Sequence, residues 1–333
     1  LKVLVTGGNG FLGRHVVSEF LRHGHSVRAL VRPASRTTGL TDHPRLEFFR
    51  ADLRVARNLS EAFDGIDALV HLAAAVTGSE DAQFAATVVG TEKLLAAMER
   101  STCTRIVLAS SISVYDWSQI KRSRFDEESP LEAEADLYDR DGYAVAKLWQ
   151  ERVVRRLSEE HNWRLTVLRP GFIWGADNHD LSGIGQHAGR FQLVIGPARI
   201  VPMTHVDNCA DCFVHATENP AAVSQTFNII DPDSPSAWRY AGEFQRRSSR
   251  RATRIPIPYF LAMNTARLAR RISKWIFRGK GKLPSILVPC RFEARFKPIR
   301  LPRGSDRLNQ ILAWHPALDF KECLRRTYPG TTP

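Results

Sequence analysis

The 333-residue chain carries 47 Lys+Arg against 35 Asp+Glu, a formal charge of +12, with 43% hydrophobic and 25% charged residues. That balance excludes a mainly disordered chain, and five Cys, a sparse and odd set, exclude a disulfide-stapled miniprotein. No apolar run reaches the roughly 18 residues of a membrane-spanning helix, and the opening residues read as a strand rather than a secretory leader, so the expected compartment is the reducing cytoplasm.

Up to residue 170 short apolar runs alternate with amphipathic stretches. Runs 1–5, 27–31, 46–49, 68–72, 106–109 and 165–168 are rich in branched residues and read as strands buried on both faces. Helical patterns fall between them at 12–23, 59–63, 82–100 and 143–161. Such alternation implies right-handed crossovers and a doubly wound, parallel α/β sheet over residues 1–170. Beyond it Gly and Pro thicken, and a strand-like 226–230 and helix-like 237–245, 259–277, 308–312 and 320–326 follow. Residues 171–333 are expected to form mostly a smaller lobe, interleaved with the first.

The first expected strand runs into Thr6-Gly7-Gly8-Asn9-Gly10-Phe11-Leu12-Gly13 and then a helix. Glycines at 7, 10 and 13 suit a Rossmann-type dinucleotide turn. They allow a tight bend, close approach to a pyrophosphate and close helix–strand packing, with the helix N-terminus aimed at the phosphates. A site for NAD usually places an acid about 20 residues on. Between Glu19 and Asp42 there is none, and the second strand ends at Arg32, followed by Arg36. A guanidinium there can clamp a 2′-phosphate, so NADP is expected, with NAD as the alternative.

Tyr143 and Lys147 stand four residues apart, on one face of an expected helix. An ammonium so placed lowers a phenol's pKa toward working pH, which suits proton exchange with a substrate hydroxyl during hydride transfer. Lys147 can also hydrogen-bond a cofactor ribose.

Thr-Gly-x-x-Gly-Phe-x-Gly at residues 6–13, with Tyr143-x-x-x-Lys147, resembles the extended branch of the short-chain dehydrogenase/reductase superfamily. The resemblance implies that Gly7, Asn9, Gly10, Phe11, Leu12 and Gly13 hold the cofactor. It implies further that Asp52 and Leu53 meet adenine, that Leu72, Ala73 and Ala74 let the cofactor lie flat, and that Lys147 meets its ribose. Ser110-Ser111-Ile112-Ser113-Val114-Tyr115 is similar to the family's Ser-Ser-x-x-Val-Tyr, which places the catalytic hydroxyl at Ser111. Leu168-Arg169-Pro170 with the glycine at 175 resembles the sixth-strand exit, whose backbone, at Pro170, meets the nicotinamide carboxamide. The C-terminal lobe then binds substrate, and a homodimer through the Tyr143 helix is implied.

Departures from the family pattern narrow the chemistry. Ile112 and Ser113 replace the acid pair of dehydratases, and Gly171-Phe172-Ile173 lacks the Asn common near a sugar diphosphate. The resemblance therefore points to the 3β-hydroxysteroid dehydrogenase and dihydroflavonol reductase side. The expected activity is interconversion of a secondary alcohol and a ketone on an apolar, sterol- or isoprenoid-like substrate by Ser111, Tyr143 and Lys147. A nucleotide-sugar epimerase with no net redox is the alternative, and a non-catalytic NADP-binding scaffold or sensor a second.

No metal site is expected. Cys209 and Cys212 have redox or half-zinc spacing but no second ligand pair, and His205, in a Val206-Asp207-Asn208 context that resembles the family's, is expected to be structural. Residues 239–307 hold 19 Lys+Arg and three acids, a net of +16, leaving −4 for the rest. Within the basic segment 259–282, Leu261, Leu268, Ile272, Trp275 and Ile276 fall along one helical stripe and Arg267, Arg270, Arg271, Lys274 and Arg278 along another. The plainer expectation is an apolar stripe packed on the core with its charges in water; peripheral contact with an anionic membrane is the alternative, and no nucleic acid is expected.

Overall fold

The computed structural model describes the chain except residues 38, 41, 121–124, 133–140, 182, 249–251, 277–283, 285–286, 300–305 and 331–333. Its centre is a seven-stranded sheet built from β1 (Lys2–Thr6), β2 (Ser26–Val31), β3 (Leu46–Arg50), β4 (Ala68–His71), β5 (Arg105–Ala109), β6 (Arg164–Pro170) and a late strand, Thr226–Ile229. The runs of Val, Leu and Ile fix this choice: every residue of β4 and β5 is buried, which only a strand covered on both faces allows. All six pairings are parallel. Spatially the order is late strand–β6–β5–β4–β1–β2–β3. The order reverses between β1 and β4, so a crevice opens beyond their carboxyl ends.

Helices cover both faces. On one lie α1 (Phe11–Arg22), between β1 and β2, and a later helix, Val206–Glu218, closing over Val3, Val5, Phe20, Phe213 and Phe227. The other carries Leu59–Phe63, α2 (Glu80–Phe84), α3 (Gly90–Met98) and α4 (Gly142–Glu160), packed with Leu4, Leu69, Leu94, Ile106 and Val154. Two details differ from expectation. Leu59–Phe63 is a 3₁₀ turn, and a π turn at Ala85–Val89 separates α2 from α3 where one continuous helix was expected. The wider turn accompanies a specific contact: Thr87 Oγ1 accepts the Ala75 amide at 3.0 Å.

After β6 the chain makes excursions from the carboxyl edge of the sheet. β7 (Phe172–Trp174) pairs in parallel with β10 (Met203–His205), while β8 (Gly185–Ala188) and β9 (Phe191–Ile195) form a hairpin. α5 (Val206–Glu218) and β11 (Thr226–Ile229) then return to the main sheet, so the two lobes interleave. α6 (Ala237–Arg247), β12 (Thr253–Ile257), α7 (Tyr259–Ile276), α8 (Pro289–Phe296), α9 (Asp306–Leu312) and α10 (Phe320–Thr327) complete the chain, with β12 in parallel beside β9. Trp174, Tyr240, Phe244, Phe320 and Leu324 form the second lobe's core.

α7 reverses an expectation. Its Leu261–Leu268–Ile272–Trp275–Ile276 stripe faces solvent; Met263, Ala266 and Ser273 face the core instead. Ala266 and Ser273 are small and let this side of α7 approach closely, which the bulky stripe would prevent. The part of the basic segment at 277–282, including Arg278, lies outside the described residues, as does the Lys274 side chain.

Candidate active site

A cleft of about 1000 Å³ lies beyond the carboxyl ends of the strands. Its floor begins at the first turn. Gly7 has φ +69°, where a side chain would be strained, and a Cβ on Gly13 would overlap the Gly7 carbonyl. Gly10 N donates to Gly7 O at 2.9 Å, which closes the turn. Gly10 caps α1 without a side chain, and no acid occupies the first helical turn, so the amides at Phe11, Leu12 and Gly13 keep their capacity for an anion.

Arg32, exposed at the end of β2, lines the cleft together with Asp52, Leu53 and Arg54. Arg54 clasps Asp52 through its amide at 2.9 Å and its guanidinium at 3.0 and 2.7 Å, holding the carboxyl down at about 2. Arg36 is not in the lining; its side chain is exposed and its carbonyl accepts from Asn9 Nδ2 at 3.4 Å. Leu72, Ala73 and Ala74 follow β4 along the opposite wall, where Thr6 Oγ1 accepts the amides of Leu72 and Ala73 at 3.2 Å each.

Ser111, Tyr143 and Lys147 come together in this wall. The two adjacent serines after β5 have separate partners. Ser110 Oγ donates to buried Glu151 at 2.5 Å, whereas Ser111 Oγ accepts the Ser113 amide at 3.1 Å and lies beside the Tyr143 hydroxyl. Burial pushes the phenol up to about 12, opposed by the neighbouring Ser111 hydroxyl and aided by the Asp141 charge.

Lys147 differs from the expectation that its ammonium lowers the phenol. Its Nζ donates to Ala109 O at 2.7 Å and Gln150 Oε1 at 2.9 Å, turned into the protein. Burial lowers it to about 7, opposed by Glu151. Gln150 continues the chain of contacts, donating to Ala73 O at 3.1 Å and Thr91 Oγ1 at 2.9 Å. Buried His71, on Thr6 Oγ1 at 2.7 Å, is held neutral by burial, at about 3. Glu151 is pinned by Arg169 at 2.5 and 3.1 Å and by Arg155, and stays ionised, at about 2, despite burial.

Pro170 lines the cleft where β6 ends; the next two amides, of Gly171 and Phe172, donate to Ile229 O at 3.0 Å and Pro202 O at 2.8 Å. The last wall is α8, through Arg291, Ala294 and Arg295. Arg291 pairs with Glu80 at 2.6 Å and Arg295 with Asp141 at 3.3 Å, bridging the second lobe to the helices beside Tyr143. His205 stands apart. It is buried, caps α5 by accepting the Asp207 amide at 3.3 Å, and packs edge-on against Trp174. Cys209 and Cys212 are fully buried on α5, and burial pushes both thiols well up.

A sequence model of the NAD dependent epimerase/dehydratase family matches residues 3–229. The chain belongs to this family. It is an NAD-dependent enzyme of the epimerase/dehydratase type, which sets aside the non-catalytic alternative. Among relatives, the mouse sterol-4-alpha-carboxylate 3-dehydrogenase (decarboxylating) is 23% identical over 346 residues, covering 98% of this chain and 90% of that protein. A Mycobacterium tuberculosis 3 beta-hydroxysteroid dehydrogenase/Delta 5-->4-isomerase is 36% identical over 183 residues, covering 52% of this chain and 47% of that protein. The solved structure of a Bacillus cereus UDP-glucuronic acid 4-epimerase, in complex with UDP-glucuronic acid and NAD, superposes with TM-score 0.70 at 18% identity, covering 98% of each chain.

Five functional-site neighbours in this family member escape a linear reading. Arg54 has a signal in hindsight, a base two residues after Asp52. Gln150 and Glu151 sit on the Lys147 helix, one turn on, and were legible as neighbours but not as partners. Arg291 and Arg295 come from a basic stretch with nothing local to tie it to the cleft.

Proposed function

We propose that this enzyme interconverts a secondary alcohol and a ketone on an apolar, sterol- or isoprenoid-like substrate, preferring NADP to NAD. The observation that carries the reading is the placement of Ser111 beside the Tyr143 phenol in the wall of one cleft, with Lys147 one turn along the same helix. The relatives named for sterol carboxylates and hydroxysteroids support the substrate class, as do Phe172, Ile173, Ile112 and Val76 in the cleft lining.

The residues present fit a dinucleotide: a turn closed to side chains at Gly13, an uncapped helix end and an alanine-lined wall. The amides at 11–13 would hold its pyrophosphate, Leu72 to Ala74 its flat rings, Asp52 and Leu53 its adenine, Lys147 its ribose and the Pro170 segment its carboxamide. Arg32, in a cleft corner shared with Arg54 and without a free acid at the end of β2, would take a 2′-phosphate; this supports NADP. When bound, the nicotinamide accepts or supplies the hydride.

Tyr143 Oη moves the proton. In the reductive direction it donates to the ketone oxygen, and in the oxidative direction it accepts from the alcohol. A phenol pushed up to about 12 stays protonated at neutral pH, which readies it as donor. Ser111 Oγ orients the same oxygen where negative charge develops. The Lys147 Nζ, held inward on Ala109 O and Gln150 Oε1, braces the turn of α4 that carries Tyr143.

A homodimer through α3 and α4 is part of the proposal. Val89 (39%), at the end of the π turn that leads into α3, and Trp149 (41%) on α4 are large apolar side chains left exposed. The second reading, nucleotide-sugar epimerisation, is favoured by one observation: Arg291 and Arg295 in the cleft wall offer two cations suited to a diphosphate. Purified protein is incubated with NADPH and a 3-ketosteroid, and separately with UDP-glucose and catalytic NAD. Loss of absorbance at 340 nm with the steroid supports the first reading; an epimerised sugar with the cofactor unchanged replaces it with the second.

A further inference from the structure

Helix α7 divides its circumference between two environments. Met263, Ala266 and Ser273 are buried, Met263 in a cluster with Ile195, Phe292 and Phe296. On the opposite side Leu261 is 61% exposed, Leu268 57%, Ile272 47%, Trp275 84% and Ile276 54%. At about 3.6 residues per turn, the first four fall within an arc of roughly 60°. Phe260, 59% exposed, lies on one flank with Arg267 and Arg271, both exposed; Arg267 keeps a 3.6 Å contact to Glu293 on α8. A contiguous apolar stripe of this size on a water-facing helix marks a contact surface.

Charge selects the occupant. The surrounding stretch 239–307 nets +16, so a second copy docking by the same face would bring like charge against like. A nucleic acid would answer the guanidinium groups and leave Leu268, Ile272 and Trp275 in water. An anionic bilayer answers both sets at once, with lipid phosphates at the bases and the acyl boundary at the stripe.

We propose that α7 lies flat in the headgroup layer of an anionic membrane, with Leu261, Leu268, Ile272, Trp275 and Ile276 in the acyl boundary and Arg267 and Arg271 at lipid phosphates. This is contact from one side: among the described residues no helix is long and apolar enough to cross a membrane. α7 packs on α8, whose Arg291, Ala294 and Arg295 line the cleft, so docking sets the cleft one helix layer from the lipid. An apolar substrate dissolved in the bilayer then has a short path to Tyr143. The docking itself does not rest on the reaction proposed above, and its test needs no turnover.

The full chain is sedimented with phosphatidylcholine vesicles and with vesicles containing about one third phosphatidylserine. Pelleting with the anionic vesicles at low salt, weakened by high salt and small with phosphatidylcholine alone, is expected. Leu268→Glu/Ile272→Glu and Arg267→Glu/Arg271→Glu each alter only exposed side chains, and far-UV circular dichroism checks their fold. Each pair should weaken vesicle affinity by at least about tenfold. Brominated lipid should quench tryptophan emission in the native chain, and Trp275→Phe should remove most of that quenching. No pelleting at low salt, undiminished binding by both double variants, or a self-association that the Leu268→Glu/Ile272→Glu pair abolishes while vesicle binding persists would each overturn the proposal.

Discussion

Replacing Lys147 by Met measures how fully the fold withholds that ammonium from water. The side chain is 3% exposed, and burial brings it to about 7 from an ordinary value of 10.5, with Glu151 holding it up in part. Between those two values the unfolded chain binds a proton that the folded chain releases. Native stability therefore rises with pH across the interval. Integrated from pH 7 to 9.5, this one group adds about 3 kcal/mol to the free energy of unfolding. Lys147→Met lacks the term, while other groups that titrate in the same range are common to both proteins and cancel in the difference. Urea unfolding followed by circular dichroism at pH 7 and pH 9.5 supplies the four free energies. The native chain should gain about 3 kcal/mol more than the variant between the two pH values. Equal gains, within about 0.5 kcal/mol, would mean that Lys147 is solvated and that its inward hydrogen bonds to Ala109 and Gln150 do not persist.

Tyr143→Phe should leave cofactor affinity nearly intact and cut turnover at least about 100-fold, read by steady-state kinetics beside a fluorescence titration with NADPH. Arg32→Asp should weaken NADPH binding and shift the NADH/NADPH ratio of kcat/KM toward NADH; unchanged NADPH affinity would remove Arg32 from the cofactor site. The two neighbouring serines should separate. Ser111→Ala should lower kcat by about tenfold or more, because its hydroxyl meets Tyr143. Ser110→Ala should leave kcat within a few-fold and cost about 1–3 kcal/mol in a urea melt, because its hydroxyl serves buried Glu151.

How much of this the sequence carries depends on the range of the interaction. The glycine turn, the strands and the Tyr143–Lys147 pair are local patterns, set by alternation, φ and helical spacing, and the coordinates place them in one cleft. β8, β9 and β12 are short and only partly buried, so hydrophobic periodicity has little to register there. The direction of Lys147 Nζ is legible only in three dimensions, since Ala109 and Gln150 reach it from a strand and from its own helix. For α7 the periodicity was correct and its orientation reversed. A stripe of Leu, Ile and Trp implies burial against something, and the sequence does not say whether that partner is the protein's own core.

α10 has a consequence for how the molecule is made. Phe320, Cys323, Leu324 and Tyr328 share a cluster with Trp174 and Tyr240, Arg326 pairs with Asp207 at 3.0 Å, and Asp207 accepts from His15 on α1 at 2.7 Å. Segments around residues 15, 207 and 328 thus meet at one joint. On the ribosome the sheet can assemble once β11 has emerged, but the second lobe stays unsealed until α10 leaves the exit tunnel. A nascent chain stalled before Phe320 would leave Trp174 open to chaperones and proteases, while a released chain would bury it.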